Sequence, residues 1–368
     1  MKVGITGAKG FIGGHLLNYL RLNEKFDIVP FDRVFFEEIQ QMDEFVQSCD
    51  CIIHLAGLNR HSDPEVMYNT NITLCSKLID SFVRTKSSPH VIFSSSTQEE
   101  EDNVYGRSKK EGGLLFQKWA LDYDAAVTCV IIPNVFGPFG EPFYNSVVAT
   151  FCHQLANNQI PEIHQDKTLN LIYIDELIAN FVQLILHPIV GKIKLTHQYT
   201  MNVTEILALL MSYKNDYLEN GIFPDLSEPK ELAFFNTFRC YIPHQHYPVN
   251  YKLNTDDRGM FVEIARTITS GQFSFSTTKP GITRGNHFHT RKAERFAVIK
   301  GKAKISLRRI DTNEVTDYYL DGNTPAYVDM PIWHTHNISN IGDEELVTLF
   351  WINEPYNSED PDTYMLLV

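Results

Sequence analysis

The sequence predicts two domains of different class, a doubly wound parallel α/β sheet followed by an all-β barrel. The first half alternates short apolar runs with amphipathic helical stretches, which is the order of repeated βαβ units. The last third holds many short β-type runs separated by turns. The chain has 368 residues, too many for one typical core and enough for two. We place the domains at residues 1–243 and 250–368.

The strands predicted for the first domain are its most apolar runs, rich in Val and Ile: Lys2–Thr6, Asp27–Phe31, Cys51–Ala56, His90–Ser95 and Ala126–Ile132. Helical spacing of apolar residues lies between and after them, at Ile12–Leu22, Val66–Val83, Ser108–Leu121, Ser146–Asn157, Glu176–Leu186 and Thr204–Ser212. This alternation predicts parallel strands joined by crossover helices.

From about Asn220 the pattern changes to an aromatic, polar segment that we interpret as a domain boundary, punctuated by Pro224, Pro229, Pro243 and Pro248. The predicted strands beyond it are Phe261–Thr267, Gln272–Thr277, Phe296–Ile299, Ala303–Arg309, Ala326–Asp329 and Leu346–Ile352. Short strands with glycine turns and almost no helix indicate a sandwich or barrel.

Composition and charge exclude several classes of protein. The chain is 43% hydrophobic and 21% charged, as globular proteins are, and its net charge of −13 argues against nucleic-acid or anionic-membrane binding. A strand pattern begins at Lys2, and the most apolar long stretch, 177–190, is too short to span a bilayer. The six cysteines form no CxxC pair. We therefore expect a cytoplasmic protein with reduced thiols and no signal peptide.

A glycine-rich loop follows the first strand and opens the first helix. Gly7 allows a tight turn, Gly10 lets the backbone approach a pyrophosphate, and Gly13 lets the helix pack on the strand. This is the dinucleotide-binding arrangement of a Rossmann-type fold. Asp32 lies 19 residues after Gly13 and favours a ribose 2′-hydroxyl, whereas Arg33 suits a 2′-phosphate. These residues alone leave NAD and NADP open.

A tyrosine and a lysine, Tyr105 and Lys109, are spaced to lie one helical turn apart. An ammonium near a phenol favours the phenolate, so we expect the pKa of Tyr105 to fall toward neutrality and the residue to exchange a proton with a carbonyl. Ser96, at the carboxyl end of a predicted strand, would orient the same carbonyl, with Ser95 and Thr97 as alternatives. The predicted catalytic residues are therefore Ser96, Tyr105 and Lys109.

The second domain carries a candidate metal site. Residues two apart in a strand share a face, so His287 and His289 are expected to point together into the barrel. Glu294 and His336 complete a set of three imidazoles and one carboxylate that suits Zn, Fe, Mn or Ni. Nearby, His334 is either a substrate-facing residue or a satisfied barrel histidine. The cations Arg291, Lys292 and Arg295 either pair with a nucleotide diphosphate or form a solvated turn.

The motifs of the first domain resemble the extended short-chain dehydrogenase/reductase family, whose members mostly act on nucleotide sugars. TGAKGFIG, HLAG, SSST, YGRSK and PNVFGP occur in that family's order, over roughly residues 1–240. The resemblance implies cofactor contacts from the loop and from later motifs: Phe11, Ile12, Leu55, Ala56, Gly57, Asn134 and Val135. Thr97 and Gln98 stand where related dehydratases carry an Asp-Glu pair, so carbonyl reduction fits better than water elimination.

The spacing of Gly281, His287, His289, Glu294 and Gly301 resembles the first motif of the cupin superfamily, whose fold is a jelly-roll barrel. Pro331, His336 and Asn340 follow the second motif. One position departs from the pattern, since Trp333 stands where glycine is usual. The resemblance implies a metal held by His287, His289, Glu294 and His336.

The order of reductase and cupin resembles the bifunctional epimerase/reductases of capsular polysaccharide synthesis, nearly from end to end. It implies that the cupin epimerises C3 of a UDP-2-acetamido-2,6-dideoxy-4-hexulose. The reductase would then reduce the C4 ketone with NADPH to UDP-2-acetamido-2,6-dideoxy-L-talose, on the route to UDP-N-acetyl-L-fucosamine. It also favours Zn as the metal. We expect a homodimer, because cupin barrels often pair through edge strands.

Two other functions stay open at this point. One is a reductase or epimerase acting on another nucleotide 4-ketosugar, fused to a structural or oxygenase-type cupin. The other is a non-enzymatic sensor of a dinucleotide or metabolite, against which Tyr105 and Lys109 argue because binding alone does not need that pair. The spacing leaves open the base that acts at C3 and whether the metal is catalytic or structural.

Overall fold

The structure is a computed structural model that describes residues 1–251, 254–256, 259–261, 265–267, 272–354 and 357–368. By contacts the chain forms two units, residues 1–150 with 165–203, and residues 151–164 with 204–368. The predicted strand Phe261–Thr267 lies partly outside the described residues, at 262–264.

The first unit is built on a parallel sheet of six strands in the order β2-β1-β3-β4-β5-β8, and a second sheet has the order β6-β7-β9. The strands are β1 Lys2–Thr6, β2 Asp27–Val29, β3 Cys51–His54, β4 His90–Ser96, β5 Val127–Ile132, β6 Asn134–Phe136, β7 Thr168–Tyr173, β8 Gly191–Lys194 and β9 Tyr199–Asn202. Strand β1 lies inside the sheet and pairs in parallel with β2 on one side and β3 on the other, so the doubly wound prediction is confirmed.

In the part of the chain that the structure describes, eight α-helices connect and follow these strands: α1 Phe11–Arg21, α2 Ile39–Ser48, α3 Pro64–Thr85, α4 Val104–Tyr123, α5 Val147–Ala156, α6 Ile174–Leu186, α7 Val203–Tyr213 and α8 Pro229–Arg239. Helices α3 and α4 bury Leu78, Phe82, Phe116 and Trp119 in one core cluster with the strand residue Phe93. Full burial of each such side chain contributes about 1.5–3 kcal/mol. Within the described ranges, every helix is too short or too polar to cross a bilayer.

The second unit contains two five-stranded antiparallel sheets, ordered β11-β20-β17-β22-β15 and β19-β18-β21-β16-β23. Its strands are β10 Ile222–Phe223, β11 Val249–Asn250, β12 Asn254–Asp256, β13 Gly259–Phe261, β14 Arg266–Thr267, β15 Gln272–Thr278, β16 Thr283–Phe288, β17 Glu294–Lys300, β18 Lys302–Arg309, β19 Val315–Asp321, β20 Ala326–Met330, β21 His334–Asn340, β22 Leu346–Ile352 and β23 Tyr364–Met365. These sheets confirm the predicted all-β second part, with the architecture of a cupin barrel.

The proline-rich segment interpreted as a boundary contains helix α8, which starts at Pro229. Proline suits the first helical turn because that turn has no partner for its N–H groups. Residues before and within this helix pack with barrel residues, since the Phe223 and Trp351 rings lie 4.2 Å apart and Arg239 donates to the Met330 carbonyl. By contacts, residues 204–243 thus belong with the barrel. The domain limits 1–243 and 250–368 stay a prediction.

Candidate active site and metal centre

The glycine loop between β1 and α1 has the tight geometry that its sequence predicts. Gly7 has a φ of +78°, and a Cβ atom there would lie 2.8 Å from the Ala56 nitrogen. A Cβ atom on Gly13 would lie 2.2 Å from the Gly7 carbonyl oxygen. The first glycine therefore makes the turn, and the third lets α1 approach it, which leaves the helix N-terminus open for phosphate groups.

A cavity of about 740 Å³ opens at this loop, within the first unit. Of the predicted site residues, the structure brings twelve to its lining: Gly7, Gly10, Phe11, Ile12, Gly13, Leu55, Gly57, Ser96, Tyr105, Lys109, Asn134 and Val135. Three others, Asp32, Arg33 and Ala56, lie outside the lining. Such a volume is within the range of pockets that hold cofactors and substrates.

Asp32 stands beside the cavity, at the N-cap of a short 3₁₀ helix, where its carboxylate accepts from the Val34 N–H. Lys9, which does line the cavity, donates to the same carboxylate across 2.9 Å. The hydrogen bond from Lys9 holds the pKa of Asp32 below its usual value. The carboxylate that would repel a 2′-phosphate is thus paired with a cation from the glycine loop.

Tyr105 and Lys109 lie on one face of α4, with the Lys109 Nζ 5.9 Å from the centre of the phenol ring. The ammonium is buried and donates to the Ser94 carbonyl across 3.0 Å. Both residues border the same cavity as the glycine loop. The structure therefore brings a phenol and an ammonium to the cavity that the glycine loop lines.

The expected fall in the pKa of Tyr105 is wrong for this structure. Burial, and the nearby phenol of Tyr144, raise the pKa of Tyr105 to about 12. Burial also lowers the pKa of Lys109 to about 8. The sequence shows the spacing of the pair but not its depth, and loss of water penalises the charged form of each group.

The structure separates the three hydroxyl candidates after β4. The Ser95 hydroxyl donates to the Glu99 carboxylate across 2.5 Å, and Thr97 lies outside the cavity lining. The Ser96 oxygen lines the cavity and accepts from the Gln98 N–H, so its own hydrogen can point to a substrate oxygen. This geometry favours Ser96.

Several residues with a role in the site escaped the sequence analysis. A Cβ atom on Gly106 would lie 1.9 Å from the Gln98 carbonyl oxygen, so the segment after Ser96 crosses α4 at this glycine. Asn71 is buried, bonds both backbone groups of Leu58 and donates to the Ser108 hydroxyl. For Gly106, the available signal was its position inside the YGRSK motif. For Asn71, one of many polar residues in α3, the sequence held no signal.

In the second unit, the four predicted ligands come together. One ligand atom from each of His287, His289, Glu294 and His336 lies within 4.8 Å of the others. Glu294 Oε2 is 3.0 Å from His289 Nε2 and 3.3 Å from His336 Nε2. Glu294 begins β17, as expected, and His287 and His336 are partners on β16 and β21. Strand β16 ends at Phe288, so His289 reaches the site from just beyond the strand.

The hydrogen bonds around these imidazoles fit a metal ion. His289 Nδ1 bonds the Asp362 carbonyl, His336 Nδ1 bonds the His334 carbonyl across 3.1 Å, and His287 bonds the backbone of Gly285. A carbonyl oxygen only accepts, so in His289 and His336 the hydrogen is on Nδ1. The lone pair of Nε2 then faces the cluster, which is the tautomer that metal-binding histidines take.

Electrostatics within the cluster favour a carboxylate anion. Burial opposes ionisation of Glu294, but the adjacent imidazoles of His289 and His336 outweigh it and lower the pKa of the carboxyl. Burial and the neighbouring imidazoles lower the pKa of His287 to about 4. A charged carboxylate and neutral imidazoles are the protonation states in which these groups bind metals.

The neighbouring candidates have structural partners. His334 is buried and its Nδ1 lies 2.9 Å from the Ile332 carbonyl, as in a satisfied barrel histidine. Arg295 is buried and donates two hydrogen bonds to the Asp329 carboxylate. Its guanidinium therefore neither lies in a solvated turn nor is left to pair with a nucleotide diphosphate. Trp333 has a φ of +58°, the left-handed conformation that glycine takes easily. It packs its ring near Phe288, and the chain still brings His336 to the cluster.

Two known family models match this chain, one in its N-terminal part and one in its C-terminal part. The family model described as the NAD dependent epimerase/dehydratase family matches residues 3–194. The chain belongs to this family. It is therefore an enzyme with a nicotinamide cofactor, and the sensor hypothesis is wrong. A second family model, the polysaccharide biosynthesis C-terminal domain, matches residues 254–364.

Some relatives match the chain over nearly its whole length, and others match only part of it. The UDP-2-acetamido-2,6-beta-L-arabino-hexul-4-ose reductase of Pseudomonas aeruginosa is 34% identical over 99% of this chain and 98% of that protein. The crystal structure of the capsular polysaccharide assembling protein CapF from Staphylococcus aureus covers 100% of both chains at 34% identity and a TM-score of 0.64. The spore coat polysaccharide biosynthesis protein SpsL of Bacillus subtilis is 27% identical over 30% of this chain and 79% of that protein.

Proposed function

We propose that this protein is a bifunctional enzyme that epimerises and then reduces a UDP-2-acetamido-2,6-dideoxy-4-hexulose, giving UDP-2-acetamido-2,6-dideoxy-L-talose for surface polysaccharide synthesis. The observation that carries the proposal is the presence in one chain of a Tyr105–Lys109 cavity at a dinucleotide loop and a converged cluster of three imidazoles and a carboxylate. The substrate named for the P. aeruginosa relative, a UDP-4-ketosugar, supports the choice of carbonyl.

Reduction of the ketone needs a proton at oxygen when a hydride reaches carbon. NADPH supplies the hydride when it is bound at the glycine loop. The Tyr105 phenol, protonated at neutral pH, donates the proton to O4, and the Ser96 hydroxyl donates a hydrogen bond to the same oxygen. Lys109 stabilises the phenolate that is left behind, which a buried site otherwise disfavours.

Two features support NADPH over NADH. Lys9 neutralises Asp32, the residue that would repel a 2′-phosphate. The side chain of Arg33 is exposed at the next position, on the same 3₁₀ turn. A 2′-phosphate near these two cations gains charge-assisted hydrogen bonds.

Epimerisation at C3 needs removal of a proton that the C4 ketone acidifies. A divalent metal, which we propose to be Zn²⁺, would be held by His287, His289, Glu294 and His336 and would supply a Lewis acid beside the barrel interior. The outward hydrogen bonds of the imidazoles keep their Nε2 atoms directed to one point. A homodimer and a cytoplasmic location stay predictions.

The reductase assignment is tested by measuring the rate of NADPH oxidation after a UDP-4-ketosugar is added. We expect Tyr105→Phe to bind NADPH normally but to turn over at least about 100-fold more slowly, because the general acid is lost. Tyr123→Phe is the control, since this tyrosine lies exposed at the other end of α4. A near-normal rate for Tyr105→Phe would remove the proposed mechanism.

The epimerase assignment is tested by NMR of solvent deuterium uptake at C3, without NADPH. We expect His289→Ala to lose metal from the purified protein and to slow uptake, while the exposed His164→Ala keeps both. Metal loss with unchanged uptake would assign the metal a structural role. Turnover of the ketosugar that strictly depends on ferrous iron and O₂ would instead favour the oxygenase-type alternative.

A further inference from the structure

The segment near the C-terminus, residues 360–368, runs beside strand β16, which carries His287 and leads to His289. Strand β23 pairs antiparallel with β16, where Met365 is the partner of His287 and Tyr364 the partner of Phe288. The Leu366 N–H also donates to the Asn286 carbonyl across 2.9 Å. The side chain of Asp362, in this segment, has no part in the function proposed so far.

Asp362 contacts the cluster through its backbone. Its carbonyl oxygen accepts from Nδ1 of His289, the bond that fixes the tautomer and the ring orientation of this ligand. Asp362 is buried and has a φ of +40°, an unusual value for a residue with a side chain. The surrounding structure must hold this conformation in place, since it is disfavoured by itself.

The Asp362 carboxylate contacts the turn that follows His289. One oxygen accepts from the Thr290 N–H across 3.0 Å and from the Thr290 hydroxyl across 2.6 Å. The other accepts from the N–H groups of Arg291 and Lys292, each across 3.1 Å. These four bonds shape the turn that leads from His289 to Glu294.

We propose that Asp362 is a positioning residue for the metal centre, acting on His289 through its carbonyl and on the His289–Glu294 turn through its carboxylate. The inference rests on the proposed metal site, which it deepens. Two ligands separated by four residues take their relative placement from that turn, so one buried carboxylate aligns both. Fixed ligands lose less freedom when the metal binds, and the affinity rises accordingly.

A neighbouring carboxylate gives a matched control. Asp360 lies two residues earlier in the same segment, and its exposed side chain pairs with the guanidinium of Arg291. Asp360→Asn therefore removes a charge from the segment without touching His289 or the backbone of the turn. Asp362→Asn keeps the size of the side chain but replaces one acceptor with an N–H donor, which faces backbone N–H groups that also donate.

The experiment measures Zn²⁺ affinity of the full chain by competition with a chromogenic chelator, and the rise in Tm that Zn²⁺ produces. We expect Asp362→Asn to bind Zn²⁺ about 10- to 100-fold more weakly, with a smaller rise in Tm, and Asp360→Asn to match the wild type. The proposal would be overturned if both variants bound Zn²⁺ with the same affinity. In that case Asp362→Asn would lower the Tm by the same amount with Zn²⁺ and with a chelator.

Two further measurements keep the outcomes distinct. If Asp362→Asn does not fold, Thr290→Val removes only the hydroxyl bond to the carboxylate, and we expect a weakening of Zn²⁺ binding of about two- to five-fold. A Thr290→Val affinity equal to that of the wild type would then contradict the proposal. A wild-type protein that binds no metal would refute the metal site itself, and the role of Asp362 with it.

Discussion

At the scale of single residues, Lys109 combines the catalytic role proposed for it with a cost in stability. Its ammonium is buried beneath the cavity, where one carbonyl oxygen, that of Ser94, accepts from it. Burial lowers its pKa from 10.5 to about 8. A charge removed from water without an anionic partner destabilises the fold, and such groups are retained where the chemistry needs them.

We expect Lys109→Met to be more stable than the wild type at pH 7. Below pH 8 the lysine is protonated in both states, so the folded state carries a penalty of about 3 kcal/mol. Between about pH 8 and 10.5 the unfolded state binds more protons than the folded state, so wild-type stability rises and the difference from the variant shrinks. Urea unfolding at pH 7 and near pH 10 checks this, with the exposed Lys110→Met as control. A loss of stability at pH 7 would contradict it.

At the scale of elements, the segment after β4 crosses helix α4. This crossing sets the distance between Ser96 and Tyr105, the two groups proposed to contact the substrate carbonyl. Ser96 ends β4 and Tyr105 begins the first turn of α4, and between them the Gln98 carbonyl rests on Gly106. The Asn103 side chain caps the helix by accepting from the Gly106 N–H across 2.7 Å. The cap and the glycine together fix where the helix starts.

We expect Gly106→Ala to lower both stability and turnover, because its methyl group would lie 1.9 Å from the Gln98 oxygen and push the two elements apart. A shift of about 1 Å in catalytic groups costs on the order of 100-fold in rate. Gly113→Ala is the control in the same helix, since its nearest contact would be an ordinary 3.5 Å from Cys129 Sγ. That variant should gain up to about 1 kcal/mol from helix propensity. Equal behaviour of the two variants in Tm and kcat would refute this account.

Periodicity in the sequence predicts most elements of the fold because strands and helices bury faces with different repeats. The five predicted strands of the parallel sheet are all present, and the ligand spacing places the four metal-site residues together. The sequence pattern does not show how deeply each polar side chain is buried. The raised pKa of Tyr105 and the Arg295–Asp329 pair depend on tertiary packing, and so does helix α8 in a segment that proline and polar residues mark as loop.

At the scale of the whole molecule, the proposed activities are ordered by the chemistry of one carbonyl. The C4 ketone acidifies the proton at C3, so inversion there requires the ketone to be intact. Reduction by the Tyr105 site removes that acidity and makes the new stereocentre permanent. Epimerisation at the His289 site therefore has to come first, wherever the intermediate travels between the two sites.

We expect the two activities to complement each other between separate molecules. Tyr105→Phe should epimerise without reducing, and His289→Ala should reduce only ketosugar that has already been epimerised. The proposed intermediate, a UDP-sugar, would be held by non-covalent contacts, so it should dissociate from one variant and bind to the other. A mixture of the two variants should then form the reduced product by NMR, whereas Tyr105→Phe mixed with a Tyr105→Phe/His289→Ala double variant should not. Failure of the first mixture, with wild-type enzyme active beside it, would mean that the intermediate does not leave the molecule that made it.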